Sequence, residues 1–224
     1  MGRERNMNEV GDEGYLRTDT IENILMRISG SGAVRAASTL GEMLGMDVEI
    51  KVPLVQVESV EEAVSRFQDD VPSFGIYVEM EGDLRNHFLV LISEDDSKRL
   101  AALLTNEYPE RLDLSKDSLA ISSLKEVGNI LASSFSNDLG DRWGMDSRPT
   151  PPEISFDLPR ALVSFVLVQF AGNTEKTLVF HTTLNVRNER FRIDLLMAPP
   201  WEELDKLDKL PPTPVQISRG NVDV

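Results

Sequence analysis

The chain of 224 residues contains no cysteine and only two histidines. Without cysteine it can have no disulfide framework, no thiolate metal site and no cysteine nucleophile. It also lacks a run of roughly 18 apolar residues, so we expect no membrane-spanning helix. The first residues, Met-Gly-Arg-Glu-Arg-Asn, lack the apolar core of a secretory signal. These absences together predict a cytoplasmic protein.

Basic residues are scarce: 23 lysines and arginines stand against 38 aspartates and glutamates, for a formal net charge of −15. Binding to a nucleic-acid backbone needs a basic face, so this class of partner is not expected. The acidic residues are spread along the chain, and such a surface stays soluble at high ionic strength because salt screens the repulsion. A salt-adapted source and an ordinary acidic protein account for this composition equally well.

The two histidines, His87 and His181, lie in segments predicted to be strands, without Asp, Cys or a second His at the spacing of metal ligands. We therefore interpret them as packed or surface histidines. No Ser-His-Asp arrangement is indicated either. The sequence predicts neither a metal site nor a cofactor of the protein's own.

Turn residues and hydrophobic spacing divide the chain into one domain with two tails. Residues 1–17 are polar and aperiodic, and residues 211–224 are rich in proline, so we expect a disordered first tail and a flexible second one. Residues 18–210 form the domain, in which a first repeat of about 18–106 precedes a second of about 112–198. Helices, strands and hairpins in both halves predict an α+β fold with pseudo-two-fold symmetry.

In the first half, a long helix is predicted to begin at Thr18 or Asp19 and to end near Leu44. The elements predicted after it are the strand Asp47–Val57, with Pro53 confining it to an edge or bulge, a short helix opened by the capping box Ser59–Glu62, a hairpin of Phe74–Val78 with His87–Ile92, and a helix capped by Ser93.

The second half is predicted to follow the same plan. A long helix runs from about Ser115 to Trp143 and leads to a strand at Glu153–Asp157. Further strands are predicted at Leu162–Phe170, Thr177–Val186 and Phe191–Met197, joined by turns at 172–173 and 187–188. A last helix begins at Trp201.

The two halves share residues at an offset of 99 positions. The matching pairs are Leu25/Leu124, Leu40/Leu139, Gly41/Gly140, Gly45-Met46-Asp47/Gly144-Met145-Asp146 and Pro53/Pro152. At this offset Arg27 falls at the position of Glu126, and Gly30 at that of Asn129. The scaffold therefore occurs twice, whereas a polar pair is kept in one copy only. Gly30-Ser-Gly32 is best explained by close packing of the first long helix on its symmetry mate.

A rotation of about 100° per residue separates two faces of the second long helix. Its buried stripe is predicted to contain Leu124, Val127, Leu131, Phe135 and Leu139. The opposite sector of roughly 80° holds Ser122, Glu126, Asn129, Ser133 and Ser136. Glu126 and Asn129 emerge as neighbours, and the serines leave room for close approach of another macromolecule. Such a pair alone is common on exposed helices, but a repeat that keeps the scaffold without it favours a functional role.

Residues 122–152 resemble the signature of the CheC/CheX/FliY family of response-regulator phosphatases: Asp or Ser, three residues, Glu, two residues, Asn, twenty-two residues, Pro. Ser122, Glu126, Asn129 and Pro152 match every position and spacing. Two-site members of this family repeat such a helix and proline-bearing strand in their first half, and the resemblance extends over about residues 19–197. It implies a CheC-like domain with long helices packed on an antiparallel sheet.

The resemblance implies dephosphorylation of phospho-CheY, the diffusible chemotaxis signal. Carried over, Glu126 would pair with the active-site lysine of the regulator, and Asn129 would orient a water molecule in line with the aspartyl phosphate. Ser122, Ser133 and Pro152 would belong to the binding surface. The Mg²⁺ that the reaction needs would belong to the regulator.

The first copy departs from the two-site pattern. Its corresponding residues are Asn23, Arg27, Gly30 and Pro53. Arginine would repel the partner lysine and glycine cannot hold a water, so this first site is interpreted as degenerate. The alternative function is a non-catalytic or weakly catalytic adaptor that binds phospho-CheY and regulates the receptor deamidase CheD.

Overall fold

The computed structural model describes residues 30–67, 70–83, 85–170 and 176–198. The side chains of residues 53–55, 139, 142, 143, 169, 170 and 176 are not described. The predicted tails, the start of the first long helix, the turn at 172–173 and the helix from Trp201 lie outside the described residues. None of the helices in these ranges is long and apolar enough to cross a membrane.

The described part of the chain contains five α-helices, a short 3₁₀ turn at Pro109–Arg111 and seven strands. The helices are α1 (residues 30–44), α2 (Val60–Arg66), α3 (Glu94–Thr105), α4 (Ser118–Trp143) and α5 (Pro159–Phe170). The strands are β1 (Val48–Ser59), β2 (Ser73–Gly82), β3 (Asn86–Ser93), β4 (Ser147–Pro149), β5 (Glu153–Asp157), β6 (Lys176–Val186) and β7 (Glu189–Ala198).

All seven strands form one antiparallel sheet in the order β1-β6-β7-β3-β2-β4, with β5 pairing with β2 next to β4. The hairpins β2–β3 and β6–β7 meet at the centre, where β3 pairs with β7. The strand that follows each long helix joins the hairpin of the other half, since β1 pairs with β6 and β5 with β2. The two halves therefore interlock in a single sheet, and the predicted α+β fold with pseudo-two-fold symmetry is confirmed.

Helices cover both faces of the sheet, and the alternation of side chains along each strand separates two cores. The main core lies between the sheet and helices α1, α3 and α4. A smaller core lies on the opposite face, under α2 and α5. Along β3, for example, Phe88, Val90 and Ile92 enter the main core while Leu89 and Leu91 enter the smaller one.

The repeated Gly-Met-Asp segments encode identical ends of the two long helices. The amide of Met46 donates to the carbonyl of Gly41 at 3.1 Å, and that of Met145 to the carbonyl of Gly140 at 3.0 Å. Gly45 and Gly144 have left-handed backbone angles, with φ of 62° and 66°. Glycine is the residue that adopts this conformation without strain at a helix end. This part of the internal repeat thus encodes the same C-terminal cap on both long helices.

Most local predictions are confirmed. Ser59 caps α2 in a reciprocal capping box with Glu62, and Ser93 caps α3. Both predicted hairpins form, with Arg187 in the turn between β6 and β7. Strand β1 lies at the sheet edge, and its register shifts around Pro53, as the proline predicts. Helix α4 starts three residues later than predicted, at Ser118.

The prediction of a strand at Leu162–Phe170 is wrong, because this segment belongs to helix α5. A continuous apolar run fits a buried strand and a buried helix equally well. Leu162, Val163, Val166 and Leu167 are buried at helical spacing and fill the smaller core. The repeat carried the missing signal, since α2 shifted by 99 positions falls at 159–165.

Two glycines determine how closely α4 approaches its neighbours. A Cβ built on Gly32 of α1 would lie 3.1 Å from the Cα of Phe135, so α1 packs tightly on α4, as predicted. By contrast, Gly30 has no atom within 4 Å of a Cβ built on it. On the side of the sheet, a Cβ on Gly128 would lie 2.4 Å from Cγ2 and 3.1 Å from Cβ of Ile76 in β2. Helix α4 therefore rests directly on β2 at Gly128.

We expect Gly128→Ala to destabilise the fold by about 1–3 kcal/mol, because the new methyl group must displace a buried side chain in a packed core. The midpoint of urea-induced unfolding, followed by circular dichroism, measures the change. Gly30→Ala is the matched control, since its methyl group meets open space and removes backbone freedom from the unfolded chain. An unfolding midpoint for Gly128→Ala at or above that of the wild type would contradict the close contact with Ile76.

Candidate functional site

Helix α4 is held at its first turn by hydrogen bonds from the segment before it. Asp117 caps the helix by accepting from the amides of Leu119 at 3.1 Å and Ala120 at 3.0 Å. The preceding turn is closed by Asp113, which accepts from Lys116 at 2.7 Å and from the amide of Ser115 at 3.0 Å. The hydrogen bond from Lys116 is the main reason that the pKa of Asp113 falls to about 2. The helix therefore begins at a defined position.

The inner side of α4 carries the predicted apolar stripe. Leu124, Val127, Leu131 and Phe135 are fully buried in the main core. Phe135 packs edge-on against Phe180 of β6, with ring centroids 5.7 Å apart. This packing prevents the helix from rolling about its axis, so the direction of its outer side chains is fixed. The side chain of Leu139, predicted in the same stripe, is not described.

The outer side of α4 presents the predicted polar pair. Ser122 and Glu126 are exposed, and Asn129 and Ser133 are half-buried. Being three residues apart on one helix, Glu126 and Asn129 are side-chain neighbours. Among the residues that the structure describes, neither of these two side chains has a hydrogen bond or ion pair. A carboxylate and a carboxamide are thus available to a partner on the outer side of a helix whose inner side is packed in the core.

Ser136 departs from the predicted polar face. It is fully buried, and its hydroxyl lies 2.8 Å from that of Ser147 in β4. The rotation angle along the helix shows correctly which side of α4 carries Ser136. It does not show that β4 packs against this end of α4. Ser136 therefore ties the helix to the sheet edge and is not part of the exposed site.

Pro152 marks a break in the edge strand that accompanies α4. Pro149 of β4 pairs with Met80, and Glu153 of β5 pairs with Tyr77, so the register shifts between them. The first copy has the matching shift in β1, around Pro53. After the break, Ile154 pairs with Ile76, the residue against which Gly128 packs. Strand β5 therefore runs beside α4 at the level of Asn129.

The first copy is described only in part. Asn23 and Arg27 lie outside the described residues, and the side chain of Pro53 is not described. Gly30 is exposed in the described part of α1. The offset of 99 places Val34 at the position of Ser133, and Val34 is 71% exposed. The described part of this face is therefore apolar where the second copy is polar.

The two histidines are half-buried and hydrogen-bonded, as predicted. Nδ1 of His87 lies 2.8 Å from the hydroxyl of Tyr77, and burial lowers the pKa of His87. Burial also raises the pKa of the Tyr77 hydroxyl. His181 pairs through Nδ1 with Asp194 at 2.8 Å. Within the described ranges, no group of three or more His, Cys, Asp or Glu side chains is placed to hold a metal ion.

Two exposed apolar residues beside the polar pair were missed by the sequence analysis. Leu119 of α4 is 64% exposed, and Phe156 of β5 is 49% exposed. Leu119 could have been found, because it lies three residues before Ser122 and so continues the same helical stripe. Phe156 could not, because its place beside α4 depends on how β5 pairs with β2.

The chain is similar to known proteins in both sequence and structure. A protein named CheY-P phosphatase CheC, from Bacillus subtilis (strain 168), is 29% identical over 189 residues, which cover 83% of this chain and 90% of that protein. No family model matches the chain.

Two solved structures show the same fold. FliY from Thermotoga maritima superposes with a TM-score of 0.67 at 18% identity, covering 85% of this chain and 94% of FliY. The FliM middle domain from H. pylori superposes with a TM-score of 0.51 at 14% identity, covering 89% of this chain and 99% of that domain. The sequence similarity to CheC and the fold shared with these two structures agree with the resemblance of residues 122–152 to the CheC/CheX/FliY family.

Proposed function

We propose that this protein hydrolyses the aspartyl phosphate of phospho-CheY through one Glu/Asn centre on helix α4. The observation that supports this most directly is the outward placement of Glu126 and Asn129 on a helix whose opposite side is fully buried. The sequence similarity to CheC of Bacillus subtilis, whose name states a CheY-P phosphatase, points to the same substrate.

The proposed reaction requires the protein mainly to position the reacting groups. An acyl phosphate is already reactive, so the catalyst mainly positions a water molecule and orders the charges around it. The carboxamide of Asn129 can accept a hydrogen bond from that water through its oxygen and donate one through its nitrogen. The carboxylate of Glu126 pairs with the active-site lysine of the regulator and so sets the orientation in which the two proteins meet. Mg²⁺ comes with the regulator.

The mechanical support of α4 suits these roles. Positioning accelerates a reaction only when the groups are held close to the productive geometry. Here residues before and after Asn129 in the chain hold the helix against the sheet, through the buried stripe and the contact of Gly128 with Ile76. The pair therefore reaches its partner from a rigid element and not from a loop.

The second candidate function is the adaptor that binds phospho-CheY with little turnover and regulates CheD. The observation in its favour is that the described part of the first copy has Gly30 and the exposed Val34 where the second has Asn129 and Ser133. Hydrolysis by the wild type separates the two functions, because an adaptor would bind the regulator and leave the lifetime of its phosphate unchanged.

We expect Asn129→Ala to lower the rate of phosphate release from Mg²⁺-bound phospho-CheY of the same organism by about 100-fold, since the nucleophilic water is no longer held in line. Release of inorganic phosphate is measured at saturating regulator. Asn137→Ala is the control, because Asn137 is an exposed asparagine two turns further along the same helix. Equal rates for wild type and Asn129→Ala would exclude the proposed role, and an inactive wild type would leave the adaptor.

We expect Glu126→Gln to raise the KM for phospho-CheY by about tenfold or more, because a hydrogen bond between charged groups contributes about 1.5–3 kcal/mol and the neutral amide forms a weaker one. The KM should also depend less on salt than that of the wild type. Steady-state phosphate release at two salt concentrations tests both expectations. Glu107→Gln, at an exposed position after α3, controls for the change in net charge. An unchanged KM would remove Glu126 from the docking contact.

A further inference from the structure

Two large apolar side chains project into solvent near the N-terminal half of α4, one from the helix itself and one from the neighbouring edge strand. Leu119 is 64% exposed and lies on the same helical stripe as Ser122 and Glu126. Phe156, which is 49% exposed, comes from β5, the edge strand that runs beside this helix. Single exposed apolar residues are ordinary on a protein surface, so these two are informative only through their position relative to the polar pair.

The pairing of β5 with β2 determines the side on which Phe156 projects. Phe156 pairs with Phe74, and their ring centroids lie 4.7 Å apart. Directly paired residues of antiparallel strands share a face of the sheet. Phe74 belongs to the main core, which is the core beneath α4. Phe156 therefore projects on the side of the sheet that carries α4, two residues beyond Ile154.

The first copy has no such projection at the matching position of its edge strand. The offset of 99 places Val57 of β1 at the position of Phe156. Val57 pairs with Leu178 of the other hairpin as Phe156 pairs with Phe74, but it is half-buried and packs against the main core. The exposed aromatic ring thus occurs in the same copy as Glu126 and Asn129. The other copy has neither the ring nor the polar pair. A residue needed only for the fold would be expected in both copies.

Resting on the proposed function, we propose that Leu119 and Phe156 are the apolar anchors by which α4 and β5 seat phospho-CheY. Leu119, Ser122 and Glu126 follow one another at helical spacing on the outer stripe of α4, so a partner that covers the polar pair and extends toward the start of the helix also reaches Leu119.

The charge of the protein favours apolar anchors. The chain carries a net charge of −15, and the stripe formed by Leu119, Ser122, Glu126, Asn129 and Ser133 contains no basic residue. A phosphorylated partner adds negative charge of its own, so long-range attraction cannot supply most of the affinity. Burial of large apolar side chains at an interface can, and aromatic residues such as phenylalanine are enriched in interface cores.

The test measures binding separately from hydrolysis. CheY of the same organism, activated with beryllofluoride and Mg²⁺ as a stable mimic of the aspartyl phosphate, is titrated into the full-length protein to obtain Kd. Phosphate release from phospho-CheY supplies kcat and KM for the same variants. Leu119→Ala and Phe156→Ala are compared with Val168→Ala, which removes another exposed apolar side chain, from α5 on the opposite face of the sheet.

We expect Leu119→Ala and Phe156→Ala each to raise both Kd and KM about tenfold, as for the minority of interface residues whose truncation weakens binding clearly, while kcat stays within about twofold of the wild type. Val168→Ala should change none of these values. Since most of the Leu119 side chain is in solvent, its variant reports on binding even if Phe156→Ala unfolds.

Four other results are informative. Unchanged Kd and KM in both folded variants overturn the anchors. If the variants change only the self-association of this protein, measured by sedimentation, the anchors are overturned too, because the patch then binds a second copy of this chain. Binding by the wild type that the two variants weaken, without any phosphate release, supports the anchors and rejects the proposed phosphatase. A wild type that neither binds nor hydrolyses rejects both.

Discussion

The contact between Gly128 and Ile76 is the constraint on which the rest of the structure depends. It brings the backbone of α4 down onto β2, and the same isoleucine pairs with Ile154 of the edge strand. One residue position thereby fixes the helix, the sheet and β5 relative to one another. A side chain larger than hydrogen at position 128 would lift the helix away from the strand. The position of the polar pair is therefore set by the residue next to Asn129, on the opposite side of the helix.

The exchange of edge strands makes the two copies dependent on each other. Strand β1 of the first half completes the hairpin of the second, and β4 and β5 of the second half complete the hairpin of the first. Neither half can bury its own hairpin edge without the other. The residues retained in both copies accordingly include those that end the long helices and interrupt the edge strands, at Gly45 and Gly144 and at Pro53 and Pro152. The outer helix faces carry no such requirement, and they are where the copies differ.

Local signals were sufficient to predict much of this arrangement from the sequence. The caps of α2 and α3, both hairpins and the described residues of the buried stripe of α4 depend on residues close together in the chain, and these were predicted correctly. Helix α5 was not, because its apolar residues lie on more than one side and so hide the helical period. Ser136 and Phe156 could not be assigned either. Their environments come from β4 crossing the helix and from β5 joining the hairpin of the other half, which no local spacing encodes.

Because Glu126 is exposed and Asn129 half-buried, the protein alone cannot exclude water from the proposed catalytic pair. In the proposed reaction, the site would become closed only when the regulator covers it. Selecting a single water molecule then requires that the two surfaces meet in one orientation. A carboxylate contact alone leaves the partner free to rotate about it. In the proposed complex, Leu119 on α4 and Phe156 on β5 add contacts on two elements, and either of them together with Glu126 restricts that rotation. Since they are apolar, they act in spite of the negative charge of the chain. Because β5 is held in place by the other half of the sheet, the first copy contributes to the proposed activity by supporting this second element, even though its own outer face has lost the polar pair.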